Sequence, residues 1–420
     1  MKFIHAADIH LDSPLVGLAA YPDAPVELLR TATRDAFVNL VDEAIAEAVD
    51  FMVIAGDLYD GSWKDYNTGH FFCREMGRLE RAGIPVFLLF GNHDADSEMT
   101  RKLVLPDNVR VFDAKKPVSF RLDALKVVLH GRSFKDAATT ENLAVGYPPA
   151  EPGWFNIGVL HTALEGHSAH ASYAPCSLAE LAARGYQYWA LGHVHEFAIV
   201  SEAPHVVFPG NLQGRHARET GPRGAVMVSV EGGEVVAVER LIVDVLRWQQ
   251  LSVDVGGSED FEAVVRRAGL ALDRLLAQTP AGHPLAVRVT LQGATAAHGA
   301  LFGDATRLRA EVIAQALARD GERLWIERVR VDTRPPEDAP GKVRAEAIDD
   351  LARVLAAAPQ DAELLAALGE DLRLLADKVP AELVDAVPEL AAVRAGALGA
   401  LVEEVSAGLL ARLQDDGGAQ

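Results

Sequence analysis

The sequence predicts an α/β protein, and its first ninety residues carry most of that prediction. Short apolar runs at residues 2–7, 51–55 and 86–90 alternate with stretches of helical periodicity at 26–49 and 67–82. The second and third runs are apolar without interruption, which is typical of strands buried on both faces of a parallel sheet. Such a sheet brings the residues that follow its parallel strands to one edge, which is where ligands bind.

The composition is that of a globular protein with a substantial core. The chain has 420 residues, 49% of them hydrophobic and 24% charged, and this length suggests two or three domains. No apolar run approaches the ~20 residues that span a bilayer. Asp8 interrupts the N-terminus before the apolar core of a signal peptide could form. Because there are only two cysteines, no disulfide framework is expected, and a cytoplasmic location without membrane attachment is predicted.

The charge balance narrows the classes of function. The chain has 40 Lys and Arg residues against 60 Asp and Glu residues, a formal net charge of −20. Overall charge therefore does not attract this protein to nucleic acid or to an anionic membrane. Metal ions can reverse the sign of the field within a local site, so a metal-dependent enzyme that acts on DNA is not excluded.

Three regions are expected along the chain. Residues 1–245 contain the alternating strands and helices. Residues 246–334 predict a smaller α+β domain, whose first helix has Ser258 as its N-cap. A proline-rich linker at 333–341 then leads to residues 342–420, which are rich in Ala, Leu and acids and predict short helices.

Side chains that bind metals follow five of the predicted strands. In chain order they are Asp8 and His10, Asp57, Asn92, His161, and finally His193 and His195. Carboxylates and imidazoles without a thiolate favour Mn²⁺, Fe²⁺ or Zn²⁺ over soft metals. Two such cations about 3.5–4 Å apart can clamp a phosphate and activate water for in-line attack.

Each of these motifs has an ordinary explanation when it is taken alone. An Asp-x-His pair occurs by chance about once in a chain of this length. A single histidine is more often a hydrogen-bonded core residue than a ligand. A metal site is favoured because all five motifs are present, each at the end of an apolar run.

The five motifs together resemble those of the calcineurin-like metallophosphoesterase superfamily. They are Asp8-x-His10, Gly56-Asp57, Gly91-Asn92-His93-Asp94, His161 and Gly192-His193-x-His195. Residues 3–14 and 209–216 resemble, more narrowly, the SbcD-type DNA repair exonucleases, particularly their YhaO-like bacterial branch. The resemblance implies a metallophosphoesterase fold, which is a two-sheet β-sandwich flanked by helices. It also implies that residues 246–334 form a capping domain and that the C-terminal tail is helical.

The resemblance also implies a role for each motif residue. One metal would be held by Asp8, His10, Asp57 and His195, and the other by Asp57, Asn92, His161 and His193, with Asp57 bridging them. His93 would contact the phosphate and assist the leaving oxygen, while Asp60 would orient His93. Family members prefer Mn²⁺, so the expected cofactors are two divalent ions, namely Mn²⁺.

Departures from the superfamily pattern bear on the substrate. Protein phosphatases of the superfamily carry an Arg where this chain has Gly61, and a Glu where it has Asp94. Both differences argue against a protein phosphatase. A polar loop adds Asn211, Arg215 and His216, which either contact a DNA phosphate or belong to a solvated or dimer-contacting loop.

These observations predict a two-metal phosphodiesterase that hydrolyses DNA, as an exonuclease or endonuclease, within an SbcCD-like repair complex. The resemblance implies a homodimer and an SMC-like coiled-coil ATPase that binds the C-terminal helices, although the more ordinary expectation for such helices is packing on their own chain. The chain has no Gly-x-x-x-x-Gly-Lys-Ser/Thr loop, so ATP dependence would need such a partner.

Two alternatives remain open at this point. A small-molecule phosphodiesterase, for example one that acts on cyclic nucleotides, would use the same metals, but it has no need of the extra domain and tail. A purely structural metal site is the other alternative. The presence of His93 and Asp60 argues against it, because a structural site needs no histidine beyond its ligands.

Overall fold

The computed structural model describes residues 1–13, 26–60, 66–96, 103–165, 173–280, 282–336, 346–376, 378 and 388–416. These residues fall into two compact units. Of the described chain, the first unit takes residues 1–215 and 221–247, and the second takes 216–220 and 248–416. The division after residue 247 lies close to the predicted boundary at 245. The predicted α+β domain and the predicted helical region both belong to the second unit.

Twelve strands of the described chain lie entirely within the first unit. They are β1 (Lys2–Ala6), β2 (Phe51–Ala55), β3 (Val86–Leu89), β4 (Val109–Val111), β5 (Val118–Leu122), β6 (Val127–Gly131), β7 (Phe155–His161), β8 (Tyr188–Gly192), β9 (Ala198–Glu202), β10 (His205–Phe208), β11 (Gly224–Glu231) and β12 (Glu234–Ile242). Four helices accompany them: α1 (Val26–Ala46), α2 (Tyr66–Arg81), α3 (Asn92–Asp96) and α4 (Leu178–Ala182).

These strands form two six-stranded sheets. The first has the order β12-β11-β1-β2-β3-β4, and the second has the order β5-β6-β7-β8-β10-β9. Strands β1 to β4 are parallel to one another, as are β6, β7, β8 and β10, whereas the remaining pairs are antiparallel. The predicted α/β class with two sheets and flanking helices is therefore confirmed.

Alternation along the central strands explains how the layers pack. In β2, Phe51, Val53 and Ala55 are buried in a core that they share with β6, β7 and β8 of the second sheet. The intervening Met52 and Ile54 are buried on the other face, against α1 and α2. Because side chains alternate between the faces of a strand, an apolar run of this kind must be covered on both sides.

The second unit has three strands and seven helices among its described residues. The strands are β13 (Arg247–Asp254, which begins at the last residue of the first unit), β14 (Leu285–Ala294) and β15 (Leu324–Arg334), in that order in one sheet. The helices are α5 (Phe261–Gln278), α6 (His298–Gly303), α7 (Ala305–Asp320), α8 (Glu346–Ala357), α9 (Ala362–Ala376), α10 (Pro388–Ala395) and α11 (Gly399–Asp416). None of the helices in the described chain is both long and apolar enough to span a bilayer.

Two local predictions were wrong. The N-cap of α5 is Asp260 rather than Ser258, because the Asp260 carboxylate accepts a hydrogen bond from the backbone N–H of Ala263. Thr333 and Arg334 were expected in a linker but belong to β15, where they pair with Gly293 and Ala294 of β14. Pairing with a long neighbouring strand therefore outweighs the proline signal that follows at 335–336.

Candidate metal centre

The candidate ligands lie where strands of both sheets end, in the first unit. Asp8 and His10 follow β1, Asp57 follows β2, and Asn92 follows β3. On the second sheet, His161 is the last residue of β7, and His193 and His195 follow β8. We call these seven residues the ligand edge. His161 joins the two sheets directly, since its Nδ1 lies 2.9 Å from the carbonyl oxygen of Ala55 at the end of β2.

The backbone at the ligand edge is held in an uncommon conformation. Asp8, His10, Asp57 and His193 all have positive φ angles, between 47° and 101°. Such conformations cost roughly 1–3 kcal/mol for residues other than glycine, and they cluster at functional sites. They persist here because the adjacent loops hydrogen-bond to each other: Asp8 N–H donates to Gly56 and His10 N–H donates to Asp57.

Glycines allow these loops to approach closely. A Cβ atom on Gly91 would overlap the Asp57 side chain, and one on Gly192 would overlap the carbonyl of Ala55. Glycine is therefore required in both motifs by the space available, in addition to any conformational need.

Two groups of ligand atoms converge at Asp8. One oxygen or nitrogen from each of Asp8, His10 and His195 lies within 4.8 Å of the others, and the same holds for Asp8, Asp57 and His161. A third group of this kind joins His10 to Asp60 and His93. His10 Nε2 and His195 Nε2 are 3.4 Å apart, and His161 Nε2 is 3.0 Å from the Asn92 Oδ1. Nitrogen and oxygen atoms that can act as metal ligands thus lie close to one another.

The surroundings orient these ligands for metal binding. Because the Ala55 carbonyl accepts from His161 Nδ1, the Nε2 atom of His161 is turned toward Asp57 Oδ2, 3.4 Å away. Asp8 accepts the backbone N–H of His193 at 3.0 and 3.1 Å. The buried Nδ1 of His10 has no hydrogen-bond partner among the described residues and lies 3.8 Å from Asp60. A thiolate-free set of imidazoles, carboxylates and an amide oxygen fits two divalent cations.

The charged groups of the ligand edge shift one another's pKa values. Burial alone would raise the pKa of Asp57, but the charge and hydrogen bond of His161 outweigh burial and hold that pKa below its usual range. Burial alone would lower the pKa of His161, and Asp57 reverses this and raises it to about 9. Burial raises the pKa of Asp8, although His195 and His161 partly oppose this effect. A proton on His161 thus supplies positive charge between carboxylates, which is the electrostatic role of a cation.

His193 lies beside these groups but is not a member of any of them. Its ring lies edge-on to the ring of His161, with the centroids 5.2 Å apart, and also edge-on to the ring of Tyr173, with the centroids 5.7 Å apart. The residue is buried. Its predicted role as a ligand stays a prediction.

His93 and Asp60 form a pair beside the ligands. His93 Nδ1 lies 3.2 Å from Asp60 Oδ1, and His93 Nε2 lies 4.0 Å from Asp57 Oδ2. The His93 side chain is 40% exposed, which leaves it accessible from the open side of the centre. Burial would lower the pKa of His93, but the hydrogen bond to Asp60 and the charges of Asp57 and Asp60 raise it above its usual value.

Sequence reasoning assigned no role to the Asp94 side chain. Asp94 is buried and accepts the backbone N–H groups of Leu58, Tyr59 and Gly91 at 2.9–3.1 Å. Burial and the charge of Asp57 raise the pKa of Asp94 to about 7. The residue ties the loop after β2 to the loop after β3, so it fixes the relative positions of the ligands on both.

The three residues of the predicted substrate loop have different surroundings. Asn211 is fully buried, and its side chain donates to the Gln213 carbonyl and accepts from Arg223, so it stabilises the loop instead of facing a substrate. Arg215 lies among site residues, 3.4 Å from His195 Nδ1 and 4.0 Å from Asp60 Oδ2. His216 belongs to the second unit, where its Nε2 is 3.6 Å from Glu219. Gly61, by contrast, lies outside the described residues.

Comparison with known proteins agrees with this geometry. Residues 1–197 match the family model of calcineurin-like phosphoesterases, and residues 248–334 match the model of the middle domain of the metallophosphoesterase YhaO. An uncharacterized metallophosphoesterase YhaO of Bacillus subtilis is 34% identical over 70% of this chain and 72% of its own length. The chain belongs to the YhaO-like calcineurin-type metallophosphoesterases. Metallophosphoesterases of this family use a dinuclear metal site, for which the ligand edge provides the candidate residues.

More distant relatives are DNA double-strand break repair proteins called Mre11. The protein from Methanopyrus kandleri is 26% identical over 64% of this chain, and that from Sulfurisphaera tokodaii is 22% identical over 58%. These matches cover 62% and 63% of the relatives, which is less than two thirds of their length. A solved structure, TT1561 of Thermus thermophilus, aligns with 57% of this metallophosphoesterase and 98% of its own chain at 13% identity and a TM-score of 0.34.

Proposed function

We propose that this metallophosphoesterase hydrolyses phosphodiester bonds of DNA, using two Mn²⁺ ions. The observation that carries the proposal is the His93–Asp60 pair, whose imidazole and carboxylate lie 3.2 Å apart beside the ligand edge. A metal centre that only stabilised the fold would have no need of an accessible histidine aimed at its open side. A hydrolase needs such a residue to deliver a proton.

The ligand edge would hold the two ions. Asp8, His10 and His195 would bind one, and Asn92, His161 and His193 would bind the other, with Asp57 between them. Bound cations would neutralise the charge of the phosphodiester and make a water molecule acidic enough to attack phosphorus. Nitrogen and oxygen donors of this kind are compatible with Mn²⁺.

His93 is placed to serve the leaving group. Its Nδ1 is held by Asp60, and its Nε2 faces the candidate ligands, 4.0 Å from Asp57 Oδ2. The raised pKa of His93 favours the protonated ring, which is the form that donates to the departing 3′-oxygen. Asp60 keeps the ring in this tautomer and orientation.

Three features support DNA as the substrate class. The Mre11 relatives are named for DNA double-strand break repair. The second unit and its C-terminal helices have no evident use in cleavage of a small diester. Net negative charge does not oppose this proposal, because the cations would provide the local positive field that attracts a phosphate.

The C-terminal helices are proposed to bind an SMC-like coiled-coil ATPase, as in an SbcCD-like complex, with a homodimer of this chain as its nuclease part. Large apolar side chains are exposed on three of these helices, namely Val354 on α8, Leu364 on α9, and Val405 and Leu409 on α11. Such side chains are suited to docking on an apolar partner surface.

Hydrolysis of defined substrates tests the proposed activity. The purified chain with Mn²⁺ is incubated with linear double-stranded DNA, single-stranded DNA, a cyclic nucleotide and bis-p-nitrophenyl phosphate, with His93→Ala alongside. Degradation of DNA that stops with EDTA and in the variant supports the proposal. Cleavage of the cyclic nucleotide but not of DNA would replace it with the small-molecule alternative. Failure to cleave any diester would contradict a phosphodiesterase altogether.

A further inference from the structure

Ser13 contacts the acid that holds His93. The Ser13 hydroxyl donates to Asp60 Oδ2 at 2.7 Å, while the other oxygen of Asp60 faces His93 Nδ1 at 3.2 Å. Ser13 is 6% exposed and is not one of the candidate metal ligands. The three side chains therefore form a chain, hydroxyl to carboxylate to imidazole, that ends at the open side of the centre.

The backbone of two parallel loops fixes this contact. Beyond the ends of β1 and β2, the loops continue side by side: His10 N–H donates to the Asp57 carbonyl, and Leu11 N–H donates to the Leu58 carbonyl. Leu11 also pairs with Tyr59 in a parallel bridge. Ser13 and Asp60 are separated by the same 47 residues as the two hydrogen-bonded pairs, so the aligned loops bring their side chains together.

Asp12 anchors the loop that carries Ser13. Its carboxylate is paired with the Arg34 guanidinium and accepts the Thr68 hydroxyl, and its backbone N–H donates to the Thr33 hydroxyl at 3.0 Å. Asp12 has a φ of 60°, so these contacts hold a turn that its own conformational preference opposes. Ser13 is thereby presented to Asp60 by a rigid support.

We propose that Ser13 is a positioning residue for His93, acting through Asp60. A carboxylate can rotate about its Cβ–Cγ bond, and a hydroxyl donor on one oxygen stops that rotation. The hydroxyl thus keeps the second oxygen directed at His93 Nδ1, which keeps His93 Nε2 turned toward the leaving group. This inference rests on the proposed phosphodiesterase function, and it assigns no contact with substrate or metal to Ser13.

The leaving group provides a readout that separates this role from a general loss of structure. A p-nitrophenolate ion leaves without protonation, whereas phenolate is a poorer leaving group and depends more on a proton donor. A defect in His93 should therefore appear in the hydrolysis of diphenyl phosphate and be small for bis-p-nitrophenyl phosphate. A defect in metal binding or folding should reduce both rates equally.

The experiment uses the full chain with Mn²⁺ and compares wild type, Ser13→Ala, His93→Gln and the double variant. Ser177→Ala is the matched control, because the Ser177 hydroxyl also donates to a carboxylate, that of Glu180, at 2.9 Å. For each protein, kcat and KM are measured with both esters, and Mn²⁺ affinity is measured by calorimetry. Thermal unfolding shows that every variant is folded.

The expected result is about a tenfold loss of kcat on diphenyl phosphate for Ser13→Ala, with less than about a threefold loss on bis-p-nitrophenyl phosphate. KM and Mn²⁺ affinity should not change, Ser177→Ala should match wild type, and Ser13→Ala should have no further effect in the His93→Gln background. Equal losses on both esters, or the same tenfold loss in that background, would overturn the inference. If wild type cleaves neither ester, the phosphodiesterase proposal itself fails, which is a separate outcome.

Discussion

Buried carboxylates have different partners at the ligand edge and in the sheet of the second unit. Asp8 and Asp57 are almost fully buried, and the groups around them are imidazoles and backbone N–H groups. Glu327 on β15 is 4% exposed, but Arg288 on β14 binds it with two hydrogen bonds of 2.7 and 2.8 Å. At the ligand edge the carboxylates lie beside imidazoles, which can lose a proton. In the sheet of the second unit, Glu327 is paired with a guanidinium, which stays charged.

This difference indicates which buried charges are available for function. A guanidinium is always charged and makes a fixed fork with a carboxylate, so the Arg288–Glu327 pair stays neutral overall at any ordinary pH. Imidazoles can give up their protons when a metal ion arrives, and then they become its ligands. The positive φ angles of Asp8 and Asp57 fit this view, since strain accumulates where a site is arranged for binding.

The largest expected effect comes from removing the acid between the two ligand groups. Asp57→Ala should lower Mn²⁺-dependent diester hydrolysis by at least about 10³-fold, because both cations would lose a ligand. His193→Ala should also abolish the activity if His193 is a ligand. Steady-state kinetics with saturating Mn²⁺, on protein shown by circular dichroism to be folded, would check both. Activity within tenfold of wild type in Asp57→Ala would contradict the assignment.

Loss of the proton donor should have a smaller effect. His93→Gln is expected to reduce kcat for diphenyl phosphate by about 10²-fold, because general acid catalysis contributes on this scale. Mn²⁺ should still bind, because His93 is not assigned as a ligand. Calorimetric titration of Mn²⁺ alongside the kinetics separates the two properties. A variant that turns over normally, or one that no longer binds the metal, would show that His93 has another role.

The fixed ion pair should behave in the opposite way. Glu327→Ala leaves the Arg288 guanidinium, 25% exposed, without its carboxylate and should destabilise the second unit by about 2–3 kcal/mol. At a temperature where the variant is folded, its kcat should equal that of wild type. Urea unfolding gives the free energy of unfolding, and steady-state kinetics give kcat. A loss of kcat in the folded variant would show that this ion pair also serves catalysis, which would contradict the difference between the two regions.

The last expected effect is stabilisation by the metal. Each Mn²⁺ ion, at about 100 times its dissociation constant, should stabilise the first unit by about 2.7 kcal/mol and so raise its Tm. The shift should be smaller in Asp57→Asn, whose amide is a weaker ligand. Differential scanning calorimetry with and without Mn²⁺ is the measurement, and an equal shift in that variant would indicate that the ion binds elsewhere.

Much of the first unit could be predicted from the sequence because burial on both faces leaves a plain signal. The run at 51–55 coincides with β2, and the helix expected at 67–82 is observed at Tyr66–Arg81. Strand β5 was not predicted, since it is only half-buried and alternates between polar and apolar residues. The edge strand β9 is likewise at most half-buried. Half-buried edge strands depend on their neighbours more than on their own composition.

The proximity of the candidate ligands could likewise be predicted, but the contacts around them could not. Parallel strands bring Asp8, Asp57 and Asn92 to one edge, so their proximity follows from the pattern. The contact of Ser13 with Asp60 spans 47 residues of sequence and depends on the alignment of two loops. Burial of Asn211 depends on Arg223 in the same way. No local periodicity encodes contacts of this kind.

The stoichiometry of Mn²⁺ binding tests the central claim most directly. Metal-free protein is titrated with Mn²⁺ by calorimetry, with bound metal counted independently by elemental analysis, for wild type and for Asp57→Asn. We expect two ions per chain in wild type and a loss of at least one in the variant, because Asp57 Oδ2 lies between His10 and His161, 4.0 and 3.4 Å away. A single ion in wild type, or two ions bound with unchanged affinity in Asp57→Asn, would contradict the two-metal account.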